Sequence, residues 1–156
     1  MAGILRKRPD EKSSTTLFAG GVICWILTKY RFRKLSMKLG YSIPVNVFDY
    51  GLSLPHYGTI VVSSKASVGT NCRIHVGVNI GAHRDKAPRL GNNVYIGPGA
   101  IIFGGIEIAD NVSIGANATV NKSITEPNTV VVGTPACIVK RDAPAWNNDK
   151  AIPERI

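Results

Sequence analysis

The sequence predicts a parallel β-helix, a coil of short strands stacked around one aliphatic core, with a short α-helix ahead of it. Three observations point there. Aliphatic residues recur every six positions at Leu90, Ile96, Ile102, Ile108, Ile114 and Val120. A second, usually smaller apolar set sits four residues after each, at Val94, Ala100, Ile106, Val112, Ala118 and Ile124. The chain carries 16 glycines and 9 prolines but only 4 phenylalanines, the composition of many tight turns around an aliphatic interior.

A six-residue period matches neither the 3.6 of an α-helix nor the alternation of a long strand, so each unit must turn a corner after a short strand. Three units then close a triangular coil, and successive coils stack as parallel strands about 4.8 Å apart. Upstream, Val62, Val68, Ile74 and Ile80 carry the same register, with Ala66, Cys72 and Val78 in the second set. Downstream, Glu126 interrupts the first set, and the period predicts that it resumes at Val132 and Ile138, with Val130 and Ala136 in the second. Gly69, Gly81, Gly97, Gly115 and Gly133 follow first-set residues. Asn93, Asn111 and Asn117 fall at corners, where a positive φ costs asparagine little. Each buried aliphatic side chain contributes roughly 1.5–3 kcal/mol before entropy is counted, enough for about a dozen such units to hold a stack. The spacing itself does not set the hand of the coil, and parallel crossovers are generally right-handed.

With 156 residues the chain has room for one main domain. Its 44% hydrophobic and 19% charged residues exclude a disordered chain. The expected divisions are a basic segment over 1–40, the β-helix over 41–140 and a tail over 141–156. Of the net charge of +9, a surplus of seven lies in residues 1–40, where nine Lys or Arg face only Asp10 and Glu11. Such a cluster attracts nucleic acid, anionic lipid or an acidic partner. No recognised nucleic-acid motif accompanies it, so no nucleic-acid partner is expected. An eleven-residue apolar run from Leu17 to Leu27 falls short of the ~20 needed to span a bilayer, and no small-x-small cleavage site follows it. A helix from about Thr16 to Leu39, stopped by Gly40, is predicted, packed on protein or lying on a membrane surface. Cys24, Cys72 and Cys137 show no CxxC spacing, which favours neither a disulfide framework nor a zinc cluster and fits a reducing cytoplasm.

Two local patterns are by-products of the repeat. Asn111-Val-Ser, Asn117-Ala-Thr and Asn121-Lys-Ser resemble glycosylation sequons because corner asparagines stand beside small polar residues. Gly97-Pro-Gly99 and Gly104-Gly105 lack the strand–loop–helix setting of a phosphate loop. A third irregularity is informative. Ile80 to Leu90 spans ten residues where six would continue the coil, so a loop over 81–89 should protrude, bearing His83, Arg84, Asp85, Lys86 and Arg89.

Four blocks together carry a family resemblance: Leu-Pro-His56-Tyr-Gly-Thr-Ile-Val-Val, Val-Gly-Thr-Asn-Cys72-Arg-Ile, Asp85-Lys-Ala-Pro-Arg-Leu-Gly and Val132-Gly-Thr-Pro-Ala. Over about residues 41–140 the chain resembles serine acetyltransferases and their capsule- and exopolysaccharide-acetylating relatives. The resemblance implies a left-handed parallel β-helix and a homotrimer with active sites between subunits. It implies acetyl transfer from acetyl-CoA to a hydroxyl, without a metal. His56 matches the general base, a role suited to an imidazole that titrates near working pH. Coenzyme contacts are implied at Ala82, Pro98 and Ala116, with Gly133, Thr134, Pro135 and Ala136 near the nucleotide end. Lys122, Lys140 and Arg141 stand either as partners of its phosphates or as solvated charge. His75 and His83 stand either as catalytic or substrate groups or as surface residues. A metal held by the three histidines has no further ligand pattern behind it.

Several positions depart from the family pattern. The carboxylate that orients the base is replaced by Tyr41, leaving Asp49 or a backbone carbonyl as substitutes. The second family histidine falls at Ala87, the carboxylate before the base at Pro55, and the arginine that grips the amino acid at Lys86, a point charge without a bidentate fork. The large N-terminal helical domain of typical serine acetyltransferases is absent from the sequence. Together with the segment Ile43-Pro-Val-Asn-Val-Phe and Cys72-Arg-Ile-His, these departures favour a sugar hydroxyl of a capsular or extracellular polysaccharide as acceptor. Serine is the alternative, and a catalytically silent assembly module a third reading. A cytoplasmic location is expected, at the inner face of the membrane if the basic helix touches lipid.

Overall fold

The computed structural model describes residues 19–147, with side chains from residue 24 onward. The start of the predicted helix at Thr16, the basic residues before it and the tail from residue 148, with Pro153, lie outside the described residues. The chain divides into two units, Met1–Lys34 and Leu35–Ile156.

The helix α1 (Ala19–Leu39) ends where expected, at Gly40 with φ +81, a conformation glycine adopts without strain. From Cys24 onward its side chains are almost all exposed, including Trp25, Ile26, Leu27, Tyr30, Phe32, Leu35 and Met37. No described helix is long and apolar enough to cross a membrane.

Beyond it the chain winds into three parallel sheets. The first contains β1 (Tyr41–Ser42), β2 (Ile60–Val62), β5 (Asn79–Gly81), β8 (Ile101–Phe103) and β11 (Thr119–Val120) in that spatial order. The second is β3 (Ser67–Val68), β6 (Arg89–Leu90) and β9 (Glu107–Ile108). The third runs β4 (Arg73–Ile74), β7 (Tyr95–Ile96), β10 (Ser113–Ile114), β12 (Val130–Val132) and β13 (Cys137–Lys140). Strands this short turn one side chain inward, or two in β2 where Ile60 joins Val62, and the first-set aliphatics Val62, Val68, Ile74, Ile80, Leu90, Ile96, Ile102, Ile108, Ile114 and Val120 are all buried. The second set fills the space between, with Ala66, Cys72, Val78, Val94, Ala100, Ile106, Val112 and Ala118 also buried.

The register registers each insertion as a pairing offset. Val62 pairs with Ile80, Ile80 with Ile102 and Ile102 with Val120, so the middle coil is four residues longer than its neighbours. That excess is the loop expected over 81–89. It closes on itself as a tight hairpin: His83 and Lys86 exchange backbone hydrogen bonds of 2.8 and 3.0 Å, and Arg84 and Asp85 between them have φ of 47 and 63. Two consecutive positive φ values are the signature of the turn that matches strand twist.

After Val120 the expected register fails. Ile124, assigned by period to the second set, occupies the first-set place opposite Ile108, and Val131 rather than Val132 sits opposite Ile114. The last coil is therefore shorter, which is why Glu126 broke the pattern. Thr129 takes the second-set place and is fully buried, its hydroxyl donating to Glu126 O at 3.0 Å. Val130 is half-buried and Val132 exposed. Ala136 and Ile138 do not begin a further coil: β13 turns back antiparallel to β12 and packs these residues against the end of the core.

One corner is held by a ladder of asparagines. Asn71, Asn93, Asn111 and Asn128 all have φ between 54 and 59. Each side-chain amide donates to the next, at 3.2, 3.0 and 2.8 Å. The tail returns along this edge: Ala143 N–H donates to Asn128 O, Asn147 reaches Asn93, and the Trp146 indole N–H donates to Asn71 O at 3.1 Å. The tail over 141–147 thus leaves the six-residue register but is anchored, with Ala143 buried.

Candidate active site

His56 follows Pro55 on the segment leading from the third sheet toward β2, and its side chain is exposed. Its backbone is clamped from two sides. The Tyr41 hydroxyl donates to His56 O at 2.7 Å, and Gly58 N–H donates to Leu39 O at 3.0 Å. Gly58 has φ +141, and a Cβ there would overlap the Val76 side chain, so this turn requires glycine. Tyr41, standing where the family pattern has a carboxylate, therefore fixes the main chain of His56 and leaves its imidazole alone. Asp49 lies beside the second sheet, its carboxylate accepting from Tyr50 N–H at 2.8 Å, with no hydrogen bond to His56.

His75 follows inward Ile74 and lies on the outer face of the third sheet. Its ring centroid is 6.0 Å from that of His56 and 5.2 Å from that of Tyr95. Its Nε2 is buried without a hydrogen-bond partner. Burial, then the neighbouring Arg73 charge, then His56, hold its pKa below the ordinary imidazole value, so the neutral ring is favoured. Arg73, two residues earlier on the same face, has a buried Nε with no partner, and its guanidinium lies 5.4 Å from the centre of the Trp146 ring. Arg73 and Tyr95 were not among the candidates read from sequence. The available signal was their place: they flank Ile74 and Ile96 on an outward row that otherwise holds the small residues Ser53, Ser113 and Val130.

The remaining candidates fall on two edges of the prism. Pro98 and Ala116 are exposed on successive turns between the third and first sheets, the edge that also carries His56 and His75. Gly133 and Thr134 end that row: Thr119 N–H donates to Gly133 O at 2.9 Å, and Thr134 Oγ1 reaches Asn117 O and Thr119 Oγ1. Ala82, His83, Asp85 and Lys86 stand instead on the edge between the first and second sheets, where a cavity of about 370 Å³ is lined by Lys65, Asp85, Lys86, Ala87, Arg89 and Glu107, among others. Asp85 is paired with Lys65 at 2.6 Å, an exposed ion pair of little energetic weight. Lys122 and Lys140 are exposed, and Arg141 is engaged by Glu126 at 2.8 Å. His83 stands on a different edge from His56 and His75, and among the described residues no three His, Cys, Asp or Glu side chains are gathered to hold a metal. Cys72 is a core residue whose thiol burial pushes up to about 12, which makes it a poor nucleophile.

The edge thus sets an exposed imidazole beside a row of small corner residues, and the coil that carries them has known relatives. Residues 87–122 fit the model described as bacterial transferase hexapeptide (six repeats). More particular relatives are serine acetyltransferases. That of Staphylococcus aureus is 40% identical over 95 residues, covering 58% of this chain and 44% of the relative. Among solved structures, the Neisseria gonorrhoeae serine acetyltransferase superposes with a TM-score of 0.64 at 30% identity, over 84% of this chain and 52% of that one. The Brucella abortus serine acetyltransferase in complex with coenzyme A gives 0.57 at 33%, over 64% and 41%. The chain spans less than half the length of the curated relatives it matches. The resemblance read from sequence holds, and the coil is a left-handed parallel β-helix, the exception to the usual hand of parallel crossovers.

Proposed function

We propose that this chain is an acetyl-CoA-dependent O-acetyltransferase in which His56 is the general base. The observation that carries the reading is the exposed His56 ring on a clamped backbone, at the same edge as Pro98, Ala116 and the Gly133–Thr134 turn. In this reading the thioester lies along that edge. His56 takes the proton of the acceptor hydroxyl as its oxygen attacks the thioester carbonyl, and returns it to the departing thiolate when the tetrahedral intermediate collapses. Backbone N–H groups stabilise the oxyanion. The coenzyme supplies the activated acyl group, and the protein supplies position and electrostatics.

The acceptor best supported by the relatives is serine, the substrate in their names. A sugar hydroxyl is the second reading, favoured by Tyr41, Pro55, Lys86 and Ala87 where the family pattern has groups serving serine. The hairpin with His83, Asp85 and Lys86 lies on a different edge from His56, so a site using both requires a second copy of the chain, as in a homotrimer. The basic helix would hold the enzyme at an anionic membrane surface, near lipid-linked glycan acceptors. Thiol release from acetyl-CoA, measured with serine and with a panel of sugars, tests the reading: acceptor-dependent release from a species sedimenting as three chains is expected. No release with any acceptor, or a monomer with full activity, would contradict it.

A further inference from the structure

We propose that Arg73 binds a carboxylate of the acceptor, making it a specificity-determining residue for molecules that carry both a hydroxyl and an acid group. The inference rests on the acyl-transfer reading for its link to catalysis, but its geometry stands apart from it. Arg73 projects from the outer face of the third sheet, two residues from His75, whose ring neighbours His56 at 6.0 Å. Among the described residues its guanidinium has neither an ion pair nor a hydrogen bond, and its Nε is withdrawn from water without a partner. A half-buried guanidinium left unpaired is costly, and native structures seldom keep one without a use.

The fold also invests in its position. The Trp146 ring lies over it, and Trp146 is itself pinned through its indole N–H to Asn71 O and by Asn147 to the asparagine ladder. Its neighbours His75 and Tyr95 are not carboxylates, and His75 is held toward its neutral form. The notch is thus cationic, with a planar fork suited to two carboxylate oxygens. The coenzyme's phosphates are separated from its thioester by the whole pantetheine arm, so a cation that acts on His75, the ring beside His56, faces the acceptor rather than the nucleotide. Serine and a uronic acid both satisfy this chemistry; a neutral hexose does not.

Matched pairs of acceptors test it: serine against serinamide, and galacturonate against galactose, each by thiol release from acetyl-CoA. The carboxylate member of at least one pair should show kcat/KM tenfold or more above its neutral twin. Arg73→Gln should erase that preference mainly through KM, and Arg73→Lys should restore part of it, with circular dichroism verifying that both variants are folded. Binding is read independently from the His56 and His75 ring signals in NMR titrations with serine and galacturonate, which should shift in the wild type and not in Arg73→Gln. Shifts without thiol release would leave the carboxylate site standing and sink the acyl-transfer reading. Equal turnover of both twins, or no ring response to either acid, would overturn the proposal.

Discussion

At the scale of single residues, the site is a set of side chains whose states follow from their surroundings. His75 is the clearest case. Its pKa lies below the ordinary 6.5 in the folded protein, so between the two values the unfolded chain binds the proton that the folded chain rejects. Stability therefore falls as pH drops below 6.5, and the loss is complete only below the folded pKa. His75→Gln should flatten that part of the curve: urea midpoints measured from pH 8 to pH 5 should decline less in the variant than in the wild type. An identical decline would show that His75 does not carry it. His56 was legible from the motif around it, whereas the partnership of His75, Tyr95 and Arg73 was not. Residues 73 and 95 are 22 apart in sequence and meet only because the longer middle coil stacks them in one row.

At the scale of elements, the six-residue period determined almost every inward side chain from Val62 to Val120. It failed after Val120 because periodicity counts residues, whereas stacking counts corners. A coil with one corner two residues short and the next one residue long still stacks, moving Ile124 and Val131 into places that the count gave to 126 and 132. The turn-back of β13 was equally hidden, since an antiparallel strand of alternating apolar residues mimics another repeat. The excess over 81–89 was visible as a count, and its hairpin form was not. The helix α1 carries Lys29, Arg31, Arg33, Lys34 and Lys38 among exposed aromatic residues, with Lys29 Nζ 3.9 Å over the Trp25 ring. A cationic and aromatic surface of this kind suits an anionic interface. The full chain should float with phosphatidylglycerol vesicles and not with phosphatidylcholine alone, and a variant with Arg31, Arg33 and Lys34 changed to Gln should lose most of that binding. Flotation unchanged by the triple substitution would dismiss the helix as the contact.

At the scale of the whole molecule, the prism separates its candidate site residues by edge. His56, His75, Pro98, Ala116 and Thr134 share one edge, and His83, Asp85 and Lys86 occupy another. A repeat pattern places residues on faces of one chain but says nothing of the copy that completes a site, which is why the set of residues implied by family likeness spans both edges while the single chain does not join them. The most direct measurement is acetyl-CoA turnover by His56→Ala beside the wild type, with the acceptor that the wild type uses best. The Tyr41 hydroxyl holds the main chain at this position, so the variant should keep its fold. A loss of about 100- to 10,000-fold in kcat is predicted, the range for removal of a general base. A folded variant that releases thiol at the wild-type rate would contradict the assignment.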